Sequence, residues 1–291
     1  MWYSLNFWLS ETLSVWNKNS GWMAWNLFLA LVPLFISFWL FYRPRSRWFI
    51  WSVSLLTGLT FVWGIKGGNW FKLLGLAQSI QRNYQELDLI YFGGAIALTL
   101  FLMLSDLYFW SGRGARSFFW WLGFLLFILF LPNAPYVLTD VIHLIEDIEI
   151  YQSIWLITLV IIPFYLLFMF IGQEAYVLSL IYLGEYLRRQ NLSKYILPIE
   201  LLFHFLSAVG IFLGRFLRLN SWYVFTKPSS LIDSASELMG KFPLLVIAIS
   251  FIVLTILYGT MKEITLAILA KRNRKSIFSE SSSGTDGSFF R

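Results

Sequence analysis

Apolar residues in this chain come in long, nearly unbroken runs, and polar residues are confined to the stretches between them. A run of roughly 20 apolar residues matches the hydrocarbon core of a bilayer. Inside that core the backbone is helical, because a helix satisfies its own N–H and C=O groups. Trp22–Tyr42, Leu89–Trp110, Tyr195–Leu213 and Leu244–Met261 meet this length. Trp48–Trp63 is short but flanked by aromatic anchors, and Phe118–Leu131 is short and ends at Pro132. Ile154–Leu187 would extend ~50 Å as one helix, against a core of ~30 Å. It is too short for two spans and a turn, so it reads as one tilted helix, kinked at Pro163 and overhanging at its C-terminal side. The pattern predicts an all-α, polytopic bundle of about seven spans.

The connecting stretches alternate in charge. Arg43, Arg45 and Arg47 follow the first run, Arg113 and Arg116 the third, Arg188, Arg189 and Lys194 the fifth, and Lys271, Arg272, Arg274 and Lys275 the last. The stretch after the fourth run carries Asp140, Glu146, Asp147 and Glu149 and no Lys or Arg. Compact basic loops stay on the cytoplasmic side, so this alternation puts the N-terminus outside and the C-terminus in the cytoplasm. Arg215, Arg218, Lys227 and Lys241, after the sixth run, are basic residues on the wrong side.

Residues 1–21 then form an external N-terminal segment, 22–262 the transmembrane domain and 263–291 a cytoplasmic tail. The tail is basic, then rich in Ser and Gly, and is expected to lack regular structure from Ser276 onward. Met1–Gly21 has no basic start and is interrupted by Glu11 and Asn17, so it is not read as a secretory signal. Trp70–Leu87, with Lys72, Gln81, Arg82 and Gln85 on one side, reads as an amphipathic surface helix.

Composition agrees. Hydrophobic residues make up 58% and charged residues 13%, too few to cover a soluble protein of 291 residues. Mean hydropathy is +0.67. Aromatic residues reach 20%, many of them at the ends of apolar runs, where rings anchor at headgroups. The absence of cysteine excludes disulfides, thiolate metal sites and thiol nucleophiles. A net charge of +6 does not imply nucleic acid, because the basic residues sit in short loops beside apolar runs.

Two segments carry candidate chemistry. In Leu131–Leu144, Pro132 and Pro135 are expected to stop the fourth span and hold an extended turn, after which Thr139 or Asp140 caps a short helix. On that helix Asp140, His143 and Asp147 recur at helical spacing and share a face. The plain reading is an interfacial helix whose His pairs with an Asp; the sharper one is an acid/base pair, Asp140 with His143, or part of a metal site. No complete metal-ligand or cofactor signature occurs, and no cofactor is expected.

In Gly210–Trp222, Gly210 and Gly214 form a small-residue face, and Arg215 and Arg218 point the same way. Two guanidiniums there suit a phosphate or carboxylate; otherwise they snorkel or pair with the acidic stretch. Asn26, Asn133, Tyr136, Asn220 and Trp222 complete the candidate binding set. Within the spans, Glu200 and His204 share a helical face and Glu174 lies midway along the fifth run. Such residues either line a polar path or hydrogen-bond between helices.

With Trp25-Asn26-Leu27-Phe28-Leu29-Ala30, Asn133-Ala134-Pro135-Tyr136…Thr139-Asp140…His143 and Gly214-Arg215-Phe216-Leu217-Arg218…Asn220-Ser221-Trp222 in hand, the chain resembles the bacterial membrane-protein family called domain of unknown function 1361. The resemblance runs from about residue 22 to 232 and implies a multi-span fold in a bacterial inner membrane, with no activity to carry over. By it, Trp48–Trp110 is an inserted pair of spans, and Tyr223 stands where an acidic residue is expected.

Three functions stay open. One is an outer-face polar site, enzymatic or not, for an anionic lipid or other phosphate-bearing envelope precursor. Another is a transporter or permease with a path through Glu174, Glu200 and His204. The last is a non-catalytic assembly component. An outward cavity lined by both motifs favours the first, a polar track from His204 to a surface the second, and a dry, filled bundle the third. Membrane lipids are the expected surroundings, and the oligomeric state is not legible.

Overall fold

The first thirty-nine-residue element sets the scale of the fold: α1 (Trp2–Leu40) runs without a break through the expected boundary at residue 21. The computed structural model describes residues 2–41, 46–65, 96–105, 116–151, 153–217 and 240–283, with backbone only at 2–7 and 272–283. Among them follow α2 (Arg47–Gly64), α3 (Ile96–Ser105), α4 (Phe118–Phe130), α5 (Asn133–Tyr136), α6 (Val141–Ile150), α7 (Ile154–Leu156), α8 (Ile162–Arg189), α9 (Ile196–Arg215) and α10 (Lys241–Ser283). Every regular element among the described residues is helical.

Five helical stretches are long and apolar enough to cross a membrane: Trp8–Leu40, Phe118–Ile150, Ile154–Arg189, Ser193–Arg215 and Lys241–Lys271. The chain is a helical membrane protein. Of the other two expected spans, Trp48–Trp63 corresponds to α2, 18 residues long. Leu89–Trp110 is described only in α3, and the amphipathic Trp70–Leu87 lies outside the described residues.

Local chemistry explains the breaks. Ser46 and Ser117 cap α2 and α4, accepting from the amides of Phe49 and Trp120. Pro132 and Pro135 do not produce the expected extended turn. Pro132 takes φ −60° and ψ −23°, and the chain stays helical through α5 and a 3-10 turn, Val137–Asp140. A proline suits the opening turn of a helix, where no amide partner is needed, so here it only resets the hydrogen-bond pattern. The expected side-chain cap by Thr139 or Asp140 is absent as well: Asp140 precedes α6 but makes no capping bond.

Ile154–Arg189 is one continuous helix, as its length suggested. Its irregularity is a π-helical turn, Ile157–Ile161, just before Pro163, whose ring would crowd an ordinary helical turn. Asn191 ends it in the left-handed region, φ 59°, and Leu192 N–H closes onto Leu187 C=O at 2.9 Å. The tail expectation is corrected too: α10 stays helical to Ser283.

α1 packs on α2, α4 and α8, while α9 packs on α10. Gly64 brings α2 against the α1 backbone, where an added Cβ would lie 3.0 Å from Trp25 Cα. Phe41 meets Phe127 edge-to-face at 5.0 Å between α1 and α4. Outward side chains are apolar, among them Trp39, Leu159, Phe170 and Ile256, as a lipid-facing surface requires.

Candidate functional site

The helical turn after α4 delivers Tyr136, Thr139 and Asp140 to the C-terminal end of α9. Arg215, the last residue of α9, donates from Nε and Nη2 to Thr139 Oγ1 at 2.9 and 2.7 Å, and from Nη2 to Asp140 Oδ1 at 2.5 Å. Its guanidinium lies 4.8 Å from the centre of the Tyr136 ring. The second Asp140 oxygen accepts from Asn26 Nδ2 of α1 at 3.2 Å. Asp140 is only 1% exposed. A buried carboxylate demands such partners, and a cation suits a helix C-terminus. Three distant pieces of sequence therefore meet at one carboxylate. Asn133 instead donates to Phe130 C=O at 3.0 Å, taking up a carbonyl at the end of α4. Arg218, Asn220 and Trp222 lie outside the described residues.

A second carboxylate repeats the arrangement one heptad on. Asp147, 2% exposed, accepts from Lys18 Nζ at 2.7 Å, Asn19 Nδ2 at 2.5 Å and Tyr165 Oη at 3.0 Å. Trp22 Nε1 holds the Asn19 oxygen at 3.1 Å. His143 departs from the expected grouping. Its Nδ1 pairs with Glu146 at 3.0 Å on the exposed side, rather than with an aspartate, and its ring rests 4.9 Å from that of Trp22. Asp140 and Asp147 turn inward and His143 does not, so the expected common face divides. Among the described residues no three His, Cys, Asp or Glu side chains gather as a metal-binding set.

A third group lies among α8, α9 and α10. Glu200 Oε1 accepts from Lys262 Nζ at 2.6 Å and from Tyr258 Oη at 2.6 Å. The Tyr258 ring lies 4.6 Å from that of His204, whose Nδ1 bonds Tyr176 Oη at 2.7 Å. Glu174 turns to Thr265, which donates to it at 2.8 Å. Glu200 and His204 are thus brought together, while Glu174 bonds separately to α10.

Lys18, Asn19, Tyr165, Tyr176, Tyr258 and Lys262 were not among the sequence candidates. A signal existed for some of them: Asn19 and Asn26 are spaced as Asp140 and Asp147 are, and Tyr258 and Lys262 share a helical face.

Residues 90–256 match the model of a family described as Protein of unknown function (DUF1361). The match takes in Asn133–His143, α8, α9 and the first part of α10, and leaves α1, α2 and the rest of α10, Tyr258 and Lys262 included, outside it. No curated protein and no solved structure matches the chain. Over more than half its length, the chain belongs to the DUF1361 family.

Proposed function

We propose that this is a multi-pass protein of a bacterial inner membrane, N-terminus outside and C-terminus cytoplasmic, acting as a proton-linked transporter or permease. The observation that carries the reading is the run of polar groups from Lys262, with a side chain 24% exposed, through Glu200 and Tyr258 to His204 and Tyr176. Ionisable side chains inside a membrane protein are costly, and a connected run of them is read first as a path.

The chemistry suits a switch. With Glu200 ionised, Lys262 and Tyr258 tie α9 to α10. A proton on Glu200 removes the ion pair and loosens that tie. His204, four residues away on the same helix face, bonds Tyr176 and extends the polar run. Towards the Arg215 end, Val137 packs against Gly172 and Pro132 against Gly210, leaving no room for a Cβ at either glycine. In this reading that seam is the closed gate, and transport requires it to part.

An outer-face site for an anionic lipid has less support. Arg215 commits Nε and Nη2 to Thr139 and Asp140, so an anionic headgroup must compete with a buried carboxylate.

The test is proton flux. The full chain, purified and reconstituted in pyranine-loaded liposomes, is given a potassium diffusion potential with valinomycin. The internal pH is expected to change faster than in empty liposomes, and Glu200→Gln is expected to abolish the difference while far-UV circular dichroism stays unchanged. Equal rates with and without protein would sink the reading.

A further inference from the structure

Two carboxylates from different helices meet the same stretch of α10. Glu200 of α9 accepts from Lys262 Nζ with both oxygens, at 2.6 and 2.9 Å. Glu174 of α8, partly buried, accepts from Thr265 Oγ1 at 2.8 Å. Lys262 and Thr265 are three residues apart on α10 and share a face, so their side chains start about 5–6 Å apart. The two carboxylates therefore flank one cation. Glu200 has that cation and the Tyr258 hydroxyl besides, whereas Glu174 has a neutral hydroxyl. Of the other ionisable groups nearby on these helices, Tyr176 and His204 bond each other and Glu263 is exposed. An ionised carboxylate away from water needs a cation, and two of them beside one lysine leave a surplus negative charge. One proton, held on one of the two, removes the surplus.

We infer that Glu200 and Glu174 share Lys262 and a single proton, and exchange them. In the arrangement of this structure Lys262 pairs with ionised Glu200, and the proton is on Glu174. A proton that reaches Glu200 makes its carboxyl neutral and releases Lys262. The lysine then turns to Glu174, on a flexible four-carbon stem. Glu174 gives up its proton and becomes the ionised partner. Each arrangement holds one ammonium, one carboxylate and one carboxylic acid, so the net charge is the same in both. What changes is the helix to which α10 is tied, α9 in the first and α8 in the second. α10 packs mainly on α9 and less on α8, as the first arrangement requires. α8 carries Gly172 and α9 carries Gly210, the two glycines of the proposed gate, so the exchange pulls on its two sides in turn. That coupling to the gate rests on the transport reading; the exchange of partners does not, and it is read without flux.

The test is infrared difference spectroscopy of the full chain in liposomes at neutral pH, in light and heavy water. A protonated carboxyl shows a C=O stretch that moves on deuteration, and an ionised one lacks it. The unaltered chain is expected to show such a band, and Glu174→Gln to lose it. Glu200→Gln decides the matter. It frees Lys262 for Glu174, which then ionises, so the same band is expected to disappear although Glu174 is still present. Glu200→Ala carries the same expectation if the glutamine variant fails to fold by far-UV circular dichroism. Lys262→Met removes the cation, and the band is expected to grow, since both carboxyls then hold protons. A band that persists in Glu200→Gln and Glu200→Ala would make Glu174 a fixed structural hydrogen bond and overturn the exchange. A spectrum that Glu174→Gln leaves unchanged would overturn it as well. Bands that behave as expected in a chain without proton flux would sink the transport reading and leave the exchange standing.

Discussion

Asn19 on α1 donates to Asp147 on α6 at 2.5 Å, and seven residues along α1 Asn26 donates to Asp140, in the 3-10 turn that leads into α6, at 3.2 Å. Two antiparallel helices keep a common face over a heptad, so the rungs reinforce one register. Each aspartate then takes a cation from the side, Lys18 or Arg215.

The two sides of the Asp147 rung contribute unequally. Asp147 is buried and serves three donors, whereas the Lys18 side chain is 45% exposed. Asp147→Ala is expected to cost about 2–3 kcal/mol, the range for a hydrogen-bonded charged group. Lys18→Ala is expected to cost under about 1 kcal/mol, because solvent screens an exposed partner. Unfolding in mixed micelles with increasing dodecyl sulfate measures both. Equal costs would contradict the argument.

Asp140 and Arg215 are expected to be energetically coupled. A double-mutant cycle with Asp140→Asn and Arg215→Gln should return an interaction energy of about 1–3 kcal/mol, as directly bonded residues do. Additive effects in the same unfolding assay would mean that this contact does not hold α9 to the turn.

Glycines divide by what surrounds them. A Cβ at Gly210 would fall 2.6 Å from Pro132 Cβ, and the proline ring cannot turn aside. Gly259 has nothing within 4 Å. Gly210→Ala is therefore expected to destabilise, by about 1–3 kcal/mol for overpacking. Gly259→Ala is expected to be neutral or to stabilise by up to about 1 kcal/mol, since alanine loses less entropy in a helix. Unfolding midpoints in micelles check the order, and a reversed order would refute the packing argument.

Orientation is read by fusion. Alkaline phosphatase joined after Arg291 is expected to be inactive and green fluorescent protein at the same place to fluoresce, because Lys271, Arg272, Arg274 and Lys275 favour the cytoplasm. Phosphatase activity from the C-terminal fusion would reverse the assignment.

Five apolar runs were legible because bilayer thickness dictates length and residue type locally. The continuation of α1 through residues 8–21 was not. Glu11, Asn17, Lys18 and Asn19 interrupt the apolar pattern there, and only the tertiary structure shows Lys18 and Asn19 bonded to the buried Asp147. The extended turn after Pro132 failed because proline disfavours a helix interior and yet suits a helix start, and local sequence does not say which applies.

The candidate site follows the same division. Asp140 and Arg215 stood out because opposite charges followed two apolar runs expected to end on the same face, while Arg218 lies outside the described residues. His143 looked equivalent to Asp140 and Asp147 by spacing, but spacing fixes only the angle around an axis. Docking of α1 buried Asp140 and Asp147 and left His143 at the rim, beside Trp22 of α1 and bonded to Glu146.

By itself, the sequence determined the helices and their membrane character, since these depend on neighbouring residues and on the bilayer as solvent. Tertiary structure alone decided the partners: Lys262 and Tyr258 for Glu200, Tyr176 for His204, Lys18 and Asn19 for Asp147. A polar side chain inside a membrane bundle has to find a partner, and many registries offer one. The choice among them rests on how whole helices slide and rotate to fit glycines, prolines and aromatic rings, and no local stretch of sequence contains it.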